Sequence, residues 1–351
     1  MRILNLFFIF FLFLFSCSSK KELKEIDPTS VVSKEVIGST LKLDDPVLFP
    51  KGISVVDSLL FVYEAKQKDG FLSVYSLNSN KLLNKFGTCG GGPNDFQTIR
   101  YLQNTFIHNN QEFLLGDETG LYAFQIDSLL SGKFYRNKVL DISKELAGYN
   151  YLIHYTDSLV VVNQTGDAQL SFFDCKSKTV AKKSYYKRFE ALGNLSDFAY
   201  STQVYDGFYA SNGAVISIAY KNFKSIDFVS VNGNLLKKVS LTGSNYNLNK
   251  IKLIDEANIS IEDGIVYYTY TFPTKEKLYA LCWNADKRKI REGIVNPEIH
   301  VFNWNGDLLS ILKLDTPVSY FCVNQKGDRI YAIGLDKKMD FQIYQFVLST
   351  N

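Results

Sequence analysis

The densest run of unusual residues is Phe86–Phe96, FGTCGGGPNDF. Gly87, Gly90, Gly91 and Gly92 free the backbone for tight turns and could turn amides toward an anion. A phosphate loop also needs Lys-Ser/Thr after its glycines and then a helix. Pro93, Asn94, Asp95 and Phe96 follow instead, which argues against nucleotide binding by this loop. Cys89 could act as a nucleophile only beside a base. His108, His154 and His300 fall in three separate stretches, and the last two sit inside runs that read as strands. No Cys/His spacing fits zinc, no Asp-rich loop fits calcium, and no Gly-x-Ser-x-Gly elbow occurs. Asp117, Asp206 and Asp263 could contribute to a metal site, but each reads equally well as a turn residue. No catalytic residue, metal or cofactor is therefore expected. A different chemistry fits Arg100, Tyr101, Tyr149, Tyr151, Tyr200, Tyr205 and Tyr320. Tyrosine and arginine suit sugar or peptide surfaces through stacking and hydrogen bonding. The same tyrosines could instead fill the interfaces between repeats.

These residues are carried by a repeating meander. Its clearest copy is Asp57–Phe96, in which the runs Leu59–Tyr63, Phe71–Leu77 and Lys81–Phe86 are joined by short polar turns. The pattern returns at Gln111, Asp157, Asn212, Asp263 and Gly327, with an insertion over Ala285–Asn296. The repeat is about the length of one four-stranded propeller blade. Candidate first strands precede each unit: Gly52–Val56, Ile99–Gln103, Tyr151–Tyr155, Val204–Tyr209, Ala257–Ile261 and Val318–Val323. Asn78-Ser79-Asn80, Asn232-Gly233-Asn234 and Asn305-Gly306-Asp307 supply turns that need positive φ. The sixth unit lacks an outer strand, while Val31–Leu43 is strand-like and has no unit of its own. The economical solution is an all-β, six-bladed propeller of four-stranded antiparallel blades over residues 31–351, closed by the N-terminal strand (about 31–43) joining the last blade. Two β-sandwiches are the alternative, but they leave Val31–Leu43 unexplained.

Composition agrees with a β fold. The 351 residues include 22 Tyr and 27 Phe, and aromatic side chains pack well on pleated surfaces. The formal charge of +3 is too small to argue for nucleic acid. Met1-Arg2 and the apolar run Ile3–Phe15 read as a signal peptide over residues 1–16. The run is too short to span a bilayer comfortably, which takes about 20 residues. Leu14-Phe15-Ser16-Cys17 resembles a bacterial lipobox, in which Cys17 would be lipidated. The alternative is an ordinary signal peptide with an incidental cysteine. Residues 17–30 are mostly polar or charged at their start and read as a flexible tether. Cys89, Cys175, Cys282 and Cys322 show no C-x-x-C pairing. Cys282 and Cys322 lie in apolar runs and read as buried thiols.

The loop Phe86–Phe96 resembles the F-G-x-x-G-x-G-P-G-E-F loop of NHL and TolB-like six-bladed propellers, which include many Bacteroidetes lipoproteins. Here Asn94-Asp95 replaces Gly-Glu, and the motif occurs once, which favours the TolB-like group. The resemblance implies an envelope lipoprotein, anchored in the outer membrane and facing the periplasm or the surface. In this loop Asp95 could accept nearby amides and Phe96 could plug a seam between blades. The ring's mouth and channel are the usual ligand position, and the tyrosines and arginine above are placed there. The expected function is a monomeric, non-enzymatic binding module for a glycan, a peptide or an envelope protein, with no nucleic acid partner. The alternative is a metal-dependent lactonase- or lyase-like enzyme with its site at the channel.

Overall fold

The computed structural model describes residues 23–348, apart from 66, 68, 93–94, 97–98, 100–106, 109–110, 118, 142–145, 147, 165, 167, 243–250 and 262–263. The expected signal segment, Cys17, Pro93, Arg100, Tyr101 and Asp263 lie outside the described residues, as does most of Ile99–Gln103.

Six antiparallel sheets follow one another along the chain. Blade one is Pro50–Val56, Leu59–Glu64, Asp69–Ser76 and Lys81–Thr88. Blade two is Ile107–His108, Glu112–Gly116, Gly120–Gln125 and Asn137–Asp141. Blade three is Tyr149–Tyr155, Leu159–Gln164, Ala168–Asp174 and Thr179–Tyr185. Blade four is Gly207–Ser211, Val215–Tyr220, Ser225–Ser230 and Leu235–Leu241. Blade five is Ile265–Pro273, Lys277–Asp286, Glu298–Asn303 and Leu308–Leu314. Blade six is Val318–Val323, Arg329–Leu335 and Phe341–Val347, completed by Gly38–Thr40.

The first strands of blades three, four, five, six and one pack against one another in that order, so they are innermost and line the channel. Burial follows from position. Leu159–Gln164, in the middle of blade three, is covered on both faces by its neighbours and reads as the unbroken run LVVV before its polar end. The outer strand Thr179–Tyr185 is largely exposed, and it carries Lys182 and Lys183. The turns between third and fourth strands use left-handed residues where they are needed: Asn80 (φ 57), Gly233 (φ 76) and Gly306 (φ 77).

Gly38–Thr40 pairs antiparallel with Phe341–Val347 and closes the ring, as the unplaced N-terminal run requires. The rest of that run departs from the sequence expectation. Ser33–Val36 pairs in parallel with Leu308–Leu314 as a fifth strand of blade five. Leu23–Ile26 pairs in parallel with Leu235–Leu241 as a fifth strand of blade four. The segment expected as tether is therefore ordered from Leu23 onward. Open outer edges offer unpaired backbone groups that capture even charged sequence. Ile26 and Val36 are buried, and Lys24 Nζ meets Asp307 at 2.5 Å. Two expected inner strands also shift. Val204–Tyr209 gives way to a helical turn before the strand Gly207–Ser211. Ala257–Ile261 belongs to a separate hairpin, Ile251–Asp255 with Asn258–Ile261, and Ile265–Pro273 takes the inner position.

Candidate functional site

Inner strands begin on one face of the ring, and there a cavity of about 410 Å³ opens between blades three and four. Tyr149, Asn150 and Tyr151, the first residues of one inner strand, form one wall. Gly207 and Tyr209 of the next inner strand, with Asp206, form the facing wall. Ser201 and Thr202 form a third side, on the turn Tyr200–Val204. The Tyr205 amide bonds Tyr200 O at 3.0 Å, five residues back, which makes this a π-helical turn. Such turns recur at functional sites because they widen the helix and displace side chains. The turn is propped by the hairpin behind it. Gln203 Nε2 donates to Ala257 O at 2.7 Å, and its Oε1 accepts the Ile259 amide at 3.1 Å.

Behind the cavity a chain of polar side chains runs from exposed Asn150 inward to buried Asn163 and Gln169. Asn150 Nδ2 donates to Asn163 Oδ1 at 3.3 Å, and Asn163 Nδ2 donates to Gln169 O at 2.9 Å. Gln169 Nε2 reaches Tyr220 OH at 2.8 Å, and that hydroxyl donates to Asp227 Oδ2 at 2.8 Å. These bonds hold Asn163, Gln169 and Tyr220 in one geometry, while Asp227 Oδ1 at the end of the chain has no hydrogen-bond partner among the described residues. Burial raises the Asp227 carboxyl, and Lys238, 3.7 Å away, opposes it.

Tyrosines continue around the channel. The Tyr151 and Tyr209 rings lie 5.6 Å apart, and those of Tyr270 and Tyr320 lie 5.5 Å apart edge to face. Burial pushes the Tyr151 phenol up to about 12, helped by nearby Asp206 and Tyr320. Burial also lifts Tyr209 well above the ordinary phenol value. Both phenols stay neutral near pH 7, and so keep a proton to donate. Two charges stand among them. Asp206 is held by Lys221 at 2.6 Å, and Lys51 Nζ lies 6.0 Å from the Tyr320 ring. Tyr149 and Tyr209 are buried, so the cavity offers a ligand the half-buried Tyr151 ring, with the exposed Asn150 amide and the Thr202 hydroxyl beside it, which suits a ligand bearing hydroxyls.

The family pattern described as TolB-like 6-blade propeller-like matches residues 23–326. The chain belongs to the TolB-like six-bladed propeller family. A DUF4221 family member from Bacteroides vulgatus has a solved structure that is similar over 92% of this chain and 99% of its own. It shares 10% identity at a TM-score of 0.56, a likeness of fold. Regucalcin from Agrobacterium tumefaciens, a calcium-binding protein, aligns over 92% of this chain and 98% of its own, at 9% identity and a TM-score of 0.47. No curated protein matches the chain.

In this TolB-like ring the glycine-rich loop closes the seam between blades one and two. Asp95 Oδ2 accepts the Gly92 amide at 2.7 Å, and Phe96 N and O bond Thr88 O and Gly90 N at 2.8 and 3.1 Å. A Cβ on Gly90 would stand 2.5 Å from Asp95 Oδ2, and one on Gly87 (φ +81) 2.1 Å from the Phe71 ring. Phe96 is fully buried, with ring contacts to Phe71 of blade one and to Tyr122 and Phe124 of blade two. Arg136 covers the same spot. Its guanidinium lies 4.5 Å over Phe96 and 3.8 Å over Tyr122, bonds Asp95 O, and pairs with Asp117 at 2.7 Å.

Other candidates separate. Tyr149 and Tyr151 line the cavity, and Tyr320 faces the channel near Tyr151. Tyr205 does not reach the cavity. Its hydroxyl donates to Lys187 O at 2.9 Å, and its ring packs among Tyr186, Tyr200 and Tyr220. Asp117 also serves elsewhere, accepting the Thr119 and Gly120 amides at 2.7 and 3.1 Å besides Arg136. Cys282 and Cys322 are buried free thiols, and burial pushes Cys282 up to about 12. Tyr209, Tyr270, Asn163 and Lys51 belong to the site or its channel and were not singled out from sequence. In the structure three of the tyrosines share a register. Tyr151, Tyr209 and Tyr320 are each the third residue of their inner strands.

Proposed function

We propose that this TolB-like propeller is an exported, lipid-anchored envelope protein. Its ring acts as a non-enzymatic binding module for a glycan, held at the mouth between blades three and four. The cavity with Tyr151 and the exposed Asn150 amide at its opening, backed by buried Tyr149, Tyr209 and Asn163, carries this reading. Sugar rings stack their C–H faces on tyrosine and present paired hydroxyls to side-chain amides. The anchor rests on Leu14–Cys17 and on the family, which supports an envelope location. Among the described residues no helix is long and apolar enough to cross a membrane. Asp206 and Asp117 are each held by a basic side chain, which favours binding over metal-dependent hydrolysis.

The test is thermal unfolding of the full-length protein across panels of oligosaccharides and peptides. An oligosaccharide at 100 times its Kd should add about 2.7 kcal/mol of stability. Tyr151→Ala should abolish that gain. Stabilisation by peptides alone, or glycan turnover that a mouth substitution removes, would overturn the reading. Cys17→Ser should release the protein from the membrane fraction, and retention there would overturn the anchor.

A further inference from the structure

The insertion in blade five stands on the same face of the ring as the cavity. Asp286 pairs with Ile265, the first residue of its inner strand, and the Lys287 amide bonds Gly264 O at 3.0 Å. A short helix follows, Lys287–Arg291, capped by the Asp286 side chain on the Arg288 amide at 2.7 Å. A short chain of contacts ties it to the cavity. The Tyr267 amide, three residues beyond Gly264, bonds Lys221 O at 2.8 Å, and Lys221 holds the cavity residue Asp206. The helix therefore stands on the mouth's face of the ring, in the next blade after it.

It carries Lys287, Arg288, Lys289 and Arg291, all exposed. Among the described residues none of the four makes an ion pair, whereas Lys24, Lys85, Arg136, Lys138, Arg188, Lys221, Lys237 and Lys238 all do. The helix dipole accounts for cations in the last turn. It disfavours Lys287 at the first position, so helix stability does not explain the set.

We infer that the basic helix Lys287–Arg291 makes the mouth selective for acidic oligosaccharides, whose rings occupy the blade three–four cavity while carboxylate or sulfate groups reach the helix. This rests on the glycan reading above. Open, unpaired cations near a cavity whose one charged lining residue, Asp206, is paired with Lys221 add a charge-dependent increment to binding, and salt screens that increment.

The experiment is calorimetric titration of the full-length protein with a uronate-rich oligosaccharide and with a neutral one of equal length, at low and high salt. The acidic ligand should bind about tenfold tighter at low salt, as four exposed charges acting together allow. High salt should erase the difference. In K287A/R288A/K289A/R291A, with its melting temperature checked, the ratio of the two affinities should fall toward one. Equal binding of both ligands at low salt, or a ratio unchanged in the variant, overturns the inference and leaves the mouth reading intact. Binding of neither ligand overturns the mouth reading and this inference together. Capture by anionic vesicles that is lost in the variant, with no preference between the oligosaccharides, assigns the helix to a membrane surface and also overturns it.

Discussion

At the residue scale, Phe96 and the two buried histidines make the sharpest demands. Phe96 is enclosed by rings of two blades and capped by Arg136. Phe96→Ala should cost about 3–5 kcal/mol, read as a lower urea midpoint. A loss below about 1 kcal/mol would mean that the seam does not depend on this ring. His154 and His300 are buried, and desolvation holds both imidazoles below their ordinary value of about 6.5. His300 has Tyr268 OH at 3.1 Å on Nδ1 and Glu298 at 3.3 Å on Nε2, and Glu298 pulls against the shift. The unfolded chain then binds more protons than the folded ring as pH falls through about 6.5 toward the lower folded values. Stability should be full above about 6.5 and decline below it. Denaturation midpoints measured from pH 7.5 to 5 check this, and His300→Gln should flatten the slope. A flat profile in the unsubstituted protein would contradict it.

At the element scale, the N-terminal segment works as a strap over three blades. Its closing strand Gly38–Thr40 was legible, because the sixth unit lacked a partner and Val31–Leu43 lacked a unit. Leu23–Ile26 and Ser33–Val36 were not. LKEI carries two charges between two apolar ends and SKEV two charges and one apolar end, so nothing local distinguishes them from tether. The edges they meet lie more than 200 residues away in sequence. Removing residues 1–36 leaves the closing strand but exposes Ile26's and Val36's sites. The expected loss is roughly 3–6 kcal/mol as an upper bound, from two buried aliphatic side chains. Extending the deletion through Thr40 opens the ring and should cost more. Equal urea midpoints for the intact and 1–36-deleted proteins would show that the parallel strands add nothing. The inner strands show the same limit at the other end of the argument. Tyr205 and Tyr209 are close in sequence and alike in type. The π-helical turn and the strand start at Gly207 send one into the seam and the other to the cavity. Register is set by that turn and not by residue type, so an aromatic count could not choose between them.

At the scale of the whole molecule, the ring presents two unlike faces. One holds the tyrosine-lined mouth and the basic helix. Away from them, a groove of about 550 Å³ runs between blades five and six, lined by Lys34, Lys277, Tyr279 and Lys326 among others. The architecture was readable because six apolar meanders and their Asn and Gly turns repeat. The mouth was readable only in part, because it is assembled from two inner strands, a turn and a hairpin that no single motif marks. The central claim is that ligand enters at the mouth between blades three and four. Hydrogen–deuterium exchange of the full-length protein, with and without a uronate-rich oligosaccharide, tests it most directly. Protection is expected over 149–151 and 200–209, with little change elsewhere except near the basic helix. Protection confined to the groove between blades five and six, with exchange at 149–151 and 200–209 unchanged, would contradict the account.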